Sequence, residues 1–306
     1  MSIYKLYKYT LITFLFFSCE KEVTVDLPTP DPKIVVEGQI EENQPPFVIL
    51  TRNSAYFSSY DIDALNNNLL HGAMVQVSDG IDTVTLTEYC CATLPIAIRN
   101  MLLQQMGIAD TNCIYDFCIY TSYPDLSFIG TVGKTYYLSA DYYGEKVNAV
   151  SNMYASVAMD SVWVEYNIDT DNDSLVRLMT RFSEPATIGD FYKYFTNRNQ
   201  EPYYYGAVFD DKFVNGITFD SPIFRAVPRG TEFDEDEFGL FRKGDTIRLK
   251  WCTIDFAAYN FYNTMDFELN GQGSPFASPT IIQSNIQGGL GIWSAYSAAY
   301  HELIVP

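Results

Sequence analysis

The chain has 306 residues, with 38 acidic against 19 basic side chains and a formal net charge of −19. Such acidity repels phosphate backbones and anionic lipid, so nucleic acid is not an expected partner, and a soluble body, a divalent cation or a basic partner fits better. The length suffices for two domains of ordinary size, and 24 Tyr with 21 Phe suit pleated sheets, whose half-buried faces favour aromatic and β-branched side chains.

At the N-terminus Lys5 and Lys8 precede an apolar run, Tyr9 to Phe17, far shorter than the ~20 residues of a membrane-spanning helix. Basic, apolar and then small residues, ending at Ser18, read as a secretory signal over residues 1–18. The small residue is followed by Cys19, and this arrangement resembles a bacterial lipobox, in which cleavage precedes the Cys and its thiol is acylated. Phe16 and Phe17 stand where Leu and a small residue are more usual, which resembles the looser lipobox of Bacteroidota-type sequences. One acyl chain holds a protein only marginally, at ~0.8 kcal/mol per buried methylene, so lasting attachment calls for multiple acylation of Cys19. Residues 19–32 form an acidic tether with Pro28, Pro30 and Pro32, which favour an extended spacer. Glu20 and Glu22 resemble the signal that sends such lipoproteins to the outer face of the outer membrane. The expected location is therefore a lipid-anchored place on the outer membrane, at the cell surface.

The folded body is expected to begin near Lys33. Ile34, Val36 and Ile40 alternate with Val35, Glu37 and Gln39, the period-two pattern of a half-buried strand. Phe47 to Thr51 reads as a second strand. Met74–Ser78 and Thr83–Thr87 flank Asp79-Gly80, and Tyr136–Tyr143 and Val147–Val150 flank Gly144-Glu145. Both are hairpin signals, because Gly accepts the positive φ of such turns. Short strands at this spacing predict an immunoglobulin-like or transthyretin-like antiparallel β-sandwich over residues 33–153.

A cysteine-rich insertion, residues 89–123, interrupts it, with a short helix expected over Pro95–Met106. Cys90, Cys91, Cys113 and Cys118 lie within it. Adjacent cysteines rarely bond each other, so two disulfides joining Cys90 and Cys91 to Cys113 and Cys118 are expected, in either pairing. A zinc site is the alternative, but it would want better-separated pairs. Cys252, in an apolar strand pattern, reads as a buried free thiol.

Residues 156–306 predict a second β-rich domain. Val162, Val164 and Tyr166 alternate along one strand and Val176, Leu178, Thr180 and Phe182 along the next. Further strands are expected over 204–209, 213–219, 223–227 and 247–253. One long helix is expected over residues 254–269, with Ala258, Phe261, Tyr262, Met265 and Leu269 on its apolar stripe. The whole reads as mainly all-β.

Near the C-terminus, Ser274-Pro-Phe-Ala-Ser-Pro279 and Ser284-Asn-Ile-Gln-Gly-Gly-Leu-Gly-Ile-Trp-Ser-Ala-Tyr-Ser297 resemble the ending of the Bacteroidota lipoprotein family known as domain of unknown function four-two-four-nine. Lys33-Ile-Val-Val-Glu-Gly38 and Pro45-Pro-Phe-Val-Ile-Leu-Thr51 match its start. Ser274 and Trp293 replace the usual Asn and Phe. The resemblance implies no established activity. It implies a surface accessory role, since members are often encoded near TonB-dependent outer-membrane receptors. The Gly288–Gly291 run lacks the following Lys-Ser/Thr and βαβ context of a phosphate loop and reads as a turn or bulge entering a final strand.

No catalytic motif stands out and no cofactor is expected. His71 and His301 are the two histidines; they lack zinc-protease spacing, and no Gly-x-Ser-x-Gly elbow occurs. A hydrolase using a carboxylate pair is the enzymatic alternative to a binding protein. Asp169, Asp171 and Asp173 have the one-three-five spacing of a calcium loop, but Ser174 replaces its Gly and Thr180 its bidentate Glu. They are candidate calcium ligands, and a calcium-binding structural surface protein is the third reading.

Overall fold

The computed structural model describes residues 31–53, 68–94, 96, 99–100, 118–166, 172–228, 237–271 and 280–306. Seven strands come from the first half of the chain: β1 (Ile34–Glu41), β2 (Phe47–Arg52), β3 (Met74–Ser78), β4 (Thr83–Cys90), β5 (Cys118–Thr121), β6 (Thr135–Tyr142) and β7 (Glu145–Asn152). The second half supplies β8 (Ser161–Glu165), β9 (Leu175–Ser183), β10 (Phe191–Arg198), β11 (Tyr204–Asp210), β12 (Thr218–Ile223), β13 (Phe241–Arg242), β14 (Thr246–Ile254), helix α1 (Phe256–Gly271) and β15 (Leu290–Ile304). The class is all-β with one long helix among the described residues.

Both expected hairpins form. At the β3–β4 turn Gly80 has φ +86° and Asp79 Oδ1 accepts the backbone N–H groups of Ile81 and Asp82. Lys134, hydrogen-bonded to Asp79, holds that carboxyl down to about 2. At the β6–β7 turn Tyr143 and Gly144 both have positive φ.

The strands assemble beyond the boundary expected near residues 153–156. One 11-stranded sheet runs β11-β10-β14-β15-β1-β2-β5-β4-β3-β6-β7, and a smaller sheet holds β12-β9-β13 with β8 on β9. β15 lies parallel to β1, from Val35↔Leu290 to Glu41↔Tyr296, whereas the other pairs of described strands are antiparallel. The antiparallel N-terminal sandwich of the sequence reading is thus completed by the C-terminal strand. A local pattern cannot announce a partner some 250 residues away, because period two reports burial and not pairing. Residues 32–306 cluster as one compact unit.

The large sheet folds back on itself. Ile34, Val36 and Ile40 of β1, Val48 and Leu50 of β2 and Trp293 of β15 pack against Val75, Tyr136, Leu138 and Val147 of the opposing strands. Trp293 Nε1 donates to Tyr136 O at 3.1 Å. Gly291 enters β15 with φ +103°, and a Cβ there would collide with the Val36 carbonyl, so the parallel pairing demands glycine at this place. This is the bulge-like use expected of the Gly run. A second core, including Phe182, Tyr192, Leu249 and Trp251, fills the space beneath the smaller sheet.

Several boundaries differ. Ile254 completes β14, and α1 starts later because Asp255 Oδ1 caps it by accepting the Ala258 N–H at 2.9 Å. Leu269, placed on the apolar stripe, is exposed. Residues 213–216, expected to open a strand, form turns in which Val214 and Asn215 donate to Asp211 O, and no strand covers 224–227. Cys118–Thr121 is not an edge insertion: as β5 it lies between β2 and β4, wholly buried. Most of the expected helix over Pro95–Met106 falls outside the described residues.

Candidate functional site

Alternation along β10, β14, β15, β1 and β2 divides their side chains between two faces. Ile34, Val36, Val48 and Trp293 point to the core just described. On the opposite face the register sets Lys193 opposite Cys252, Phe195 opposite Lys250, Lys250 opposite Tyr300 and Glu41 opposite Tyr296. Helix α1 covers part of this face, where Cys252, Ile254, Ala258, Ile292 and Tyr296 form a small apolar cluster.

Two lysines are buried there. Lys250 Nζ lies 2.6 Å from Glu41 Oε2 and donates to Tyr296 Oη at 3.2 Å. Tyr296 donates in turn to Glu41 Oε2 at 3.1 Å, and Tyr300 donates to Glu41 Oε1. Burial first, and the Glu41 carboxylate second, push both phenols well above their usual range. Lys193 is 0 % exposed, and its ammonium has no hydrogen-bond partner among the described residues. It sits over Tyr262, Tyr296 and Phe195 at 4.4, 4.8 and 5.0 Å from the ring centroids. These rings supply the cation–π attraction that replaces part of the lost hydration. Burial nevertheless pulls Lys193 below the usual lysine range, and it lifts the Cys252 thiol to about 11.

Beside this charged layer, where the helix leaves β1 and β2 uncovered, lies a cavity of about 460 Å³. Its walls are Phe195 and Tyr262, two of the rings that hold Lys193, together with Tyr203 to Tyr205, Phe261 and Met265; Glu37, Gln39 and Phe47 come from the sheet. Its volume and aromatic lining, with Glu37, Gln39 and the tyrosine hydroxyls as polar groups, are within the range of small-ligand sites. Glu37 is the one carboxylate among its described lining residues, so the paired-carboxylate geometry of a hydrolase is not assembled there.

A family profile described as "Domain of unknown function (DUF4249)" matches residues 20–301. The chain belongs to this DUF4249 family. No curated protein matches it. The DUF4249 match spans β1 to β14 and β15 as far as residue 301, including the β1–β15 pairing that underlies the cavity.

The residues singled out by sequence are dispersed. Cys19, Asp169, Asp171 and Cys113 lie outside the described residues. Asp173 is exposed, and beside it Asn172 Oδ1 accepts the Ser174 backbone N–H at 3.0 Å, an ordinary Asx turn. Cys90 and Cys118, directly opposite on β4 and β5, form a disulfide, and Cys91 is also disulfide-bonded. These thiols are therefore not zinc ligands in this structure. Cys252 is free and buried, as its strand pattern suggests. His71 Nδ1 lies 2.8 Å from Glu88, while His301, on β15, is pulled down by burial.

Sequence reasoning missed two features. No strand was expected over β10, which carries Lys193, and Lys250 among Leu249 and Trp251 reads as a solvated position; the helix expected after β14 gives no local sign that its Tyr262 covers Lys193. Glu184 and Asp190, from the β9–β10 connection, and Asp211, from the turn after β11, place carboxylate oxygens within 4.8 Å of one another. Glu184 accepts from Tyr192 Oη and Gly216 N, and Asp211 accepts from Gly189 N and Asp190 N. Burial and these two neighbours raise Asp190 above the usual carboxyl range.

Proposed function

We propose that this chain is a lipid-anchored protein of the outer membrane, displayed at the cell surface, that binds a partner and does not turn it over. The anchor is Cys19. Its support is the order of Lys5, Lys8, the apolar run Tyr9–Phe17, Ser18 and Cys19, followed by Glu20, Glu22 and a tether with prolines at 28, 30 and 32. The partner proposed is a TonB-dependent receptor or its cargo, with basic groups to complement a net charge of −19.

The observation that carries the binding role is the aromatic cavity of about 460 Å³ over β1. It stands beside a Lys250–Glu41 pair kept buried at a cost an apolar pair would avoid. Rigid Tyr and Phe side chains give contact area at low entropic cost, which favours recognition. The test is fractionation of cells expressing Cys19→Ala. The variant should leave the membrane fraction, whereas wild type stays there and is removed by protease added to intact cells. Membrane retention of the variant contradicts the anchor, and protection of wild type contradicts surface display.

A further inference from the structure

A second cavity, of about 340 Å³, opens between the smaller sheet and the outer end of the large one. Its walls are mostly aromatic: Phe182, Tyr192, Phe209, Phe219 and Trp251, with Phe213 at the mouth, 84 % exposed on the turn after β11. The polar groups beside it are nearly all spoken for. Tyr192 donates to Glu184 at 3.0 Å, Thr180 donates to the Ser221 carbonyl at 3.1 Å, and Asp210 accepts from Tyr259 at 2.8 Å.

The exception is Trp251. It is 4 % exposed, lines the cavity, and its indole N–H has no hydrogen-bond partner among the described residues. The contrast with Trp293, whose N–H is bonded to Tyr136 O, is informative, because buried donors are ordinarily satisfied and an orphan is costly. The site is also unfriendly to anions. Asp210 is in the wall, Glu184 is bonded to the lining Tyr192, and Asp190 and Asp211 stand beside Glu184, while no Lys or Arg is among the described lining residues.

We propose that this cavity is a binding site for an uncharged, mainly apolar small molecule carrying one hydrogen-bond acceptor, which takes the Trp251 indole N–H. The aromatic walls supply affinity through buried area and ring contacts. The indole supplies orientation, and the surrounding carboxylates reject anionic analogues. This site is separate from the cavity over β1 and does not depend on how the chain is anchored.

The test uses the full chain and the neutral probe 6-propionyl-2-(dimethylamino)naphthalene, whose ketone is the acceptor, with anionic 1-anilinonaphthalene-8-sulfonate as its counterpart. The neutral probe should bind with a blue-shifted emission, and the sulfonate should bind more weakly. Trp251→Phe keeps an aromatic ring but removes the donor, and it should weaken the neutral probe by roughly three- to tenfold, the worth of one hydrogen bond. Ser221→Trp, on a half-buried position of edge strand β12 that lines the cavity, should fill the space and abolish binding. If circular dichroism shows Trp251→Phe misfolded, Ser221→Trp and the two-probe comparison decide. Unchanged affinity in Ser221→Trp overturns the site. Unchanged affinity in a folded Trp251→Phe, or equal affinity for the sulfonate, overturns the ligand class.

Discussion

The two faces of the central strands solve burial in opposite ways. One face of β1 and β15 carries Ile34, Val36, Ile40 and Trp293, apolar and tightly filled, with the indole N–H bonded across to β6. The other face of the same strands, continued onto β10 and β14, carries Glu41, Tyr296 and Tyr300 against Lys250 and Lys193. Backbone hydrogen bonding is shared, so the contrast isolates what side chains do. The apolar face gains free energy from each buried group, whereas the charged face gives up hydration for two ammonium groups and one carboxylate, and recovers it only through mutual pairing and ring contacts. Stability alone does not call for such a layer, and it lies beside the cavity over β1.

This contrast can be broken first on the apolar side. Trp293→Ala should lower unfolding free energy by about 3–5 kcal/mol, the range for emptying a large buried site. Urea denaturation followed by circular dichroism measures it, and a loss below about 1 kcal/mol would mean that this face is not the core.

Lys193→Met should have a smaller effect and the opposite sign. Burial lowers the folded-state pKa of Lys193, so the unfolded chain binds more protons than the folded one between that lowered value and about 10.4. Wild-type stability attributable to this residue therefore rises with pH across that window. Lys193→Met should be more stable than wild type at neutral pH, by on the order of 1 kcal/mol. That advantage should shrink as pH rises towards 10. A constant difference across pH would show that Lys193 is not titrating abnormally.

The strands of the fold were largely legible. Ile34, Val36 and Ile40 announced the buried face of β1, and Asp79-Gly80 and Gly144 announced two turns, because alternation and positive φ are local properties. The parallel β1–β15 pairing was not local. Its one trace was Gly291, whose missing Cβ lets the strand approach Val36. The charged face was invisible for a related reason. Lys250 within Leu249-Lys250-Trp251-Cys252 is the ordinary signature of a solvated strand face, and only Glu41, Phe195, Tyr296 and Tyr300, brought in from other strands, enclose it. The disulfide was legible as a set of cysteines and not as a pairing, since register across β4 and β5 decides which thiols meet.

The Glu41–Lys250 pair, held in the sheet interior, is expected not to be a net source of stability. A comparison of Glu41→Leu with Glu41→Leu/Lys250→Met in urea denaturation separates the two possibilities. The single variant leaves a buried ammonium without its carboxylate and should lose about 3–5 kcal/mol. The double variant, with apolar side chains at both positions, should be as stable as wild type or more so. A double variant as unstable as the single one would instead make the pair a structural strut.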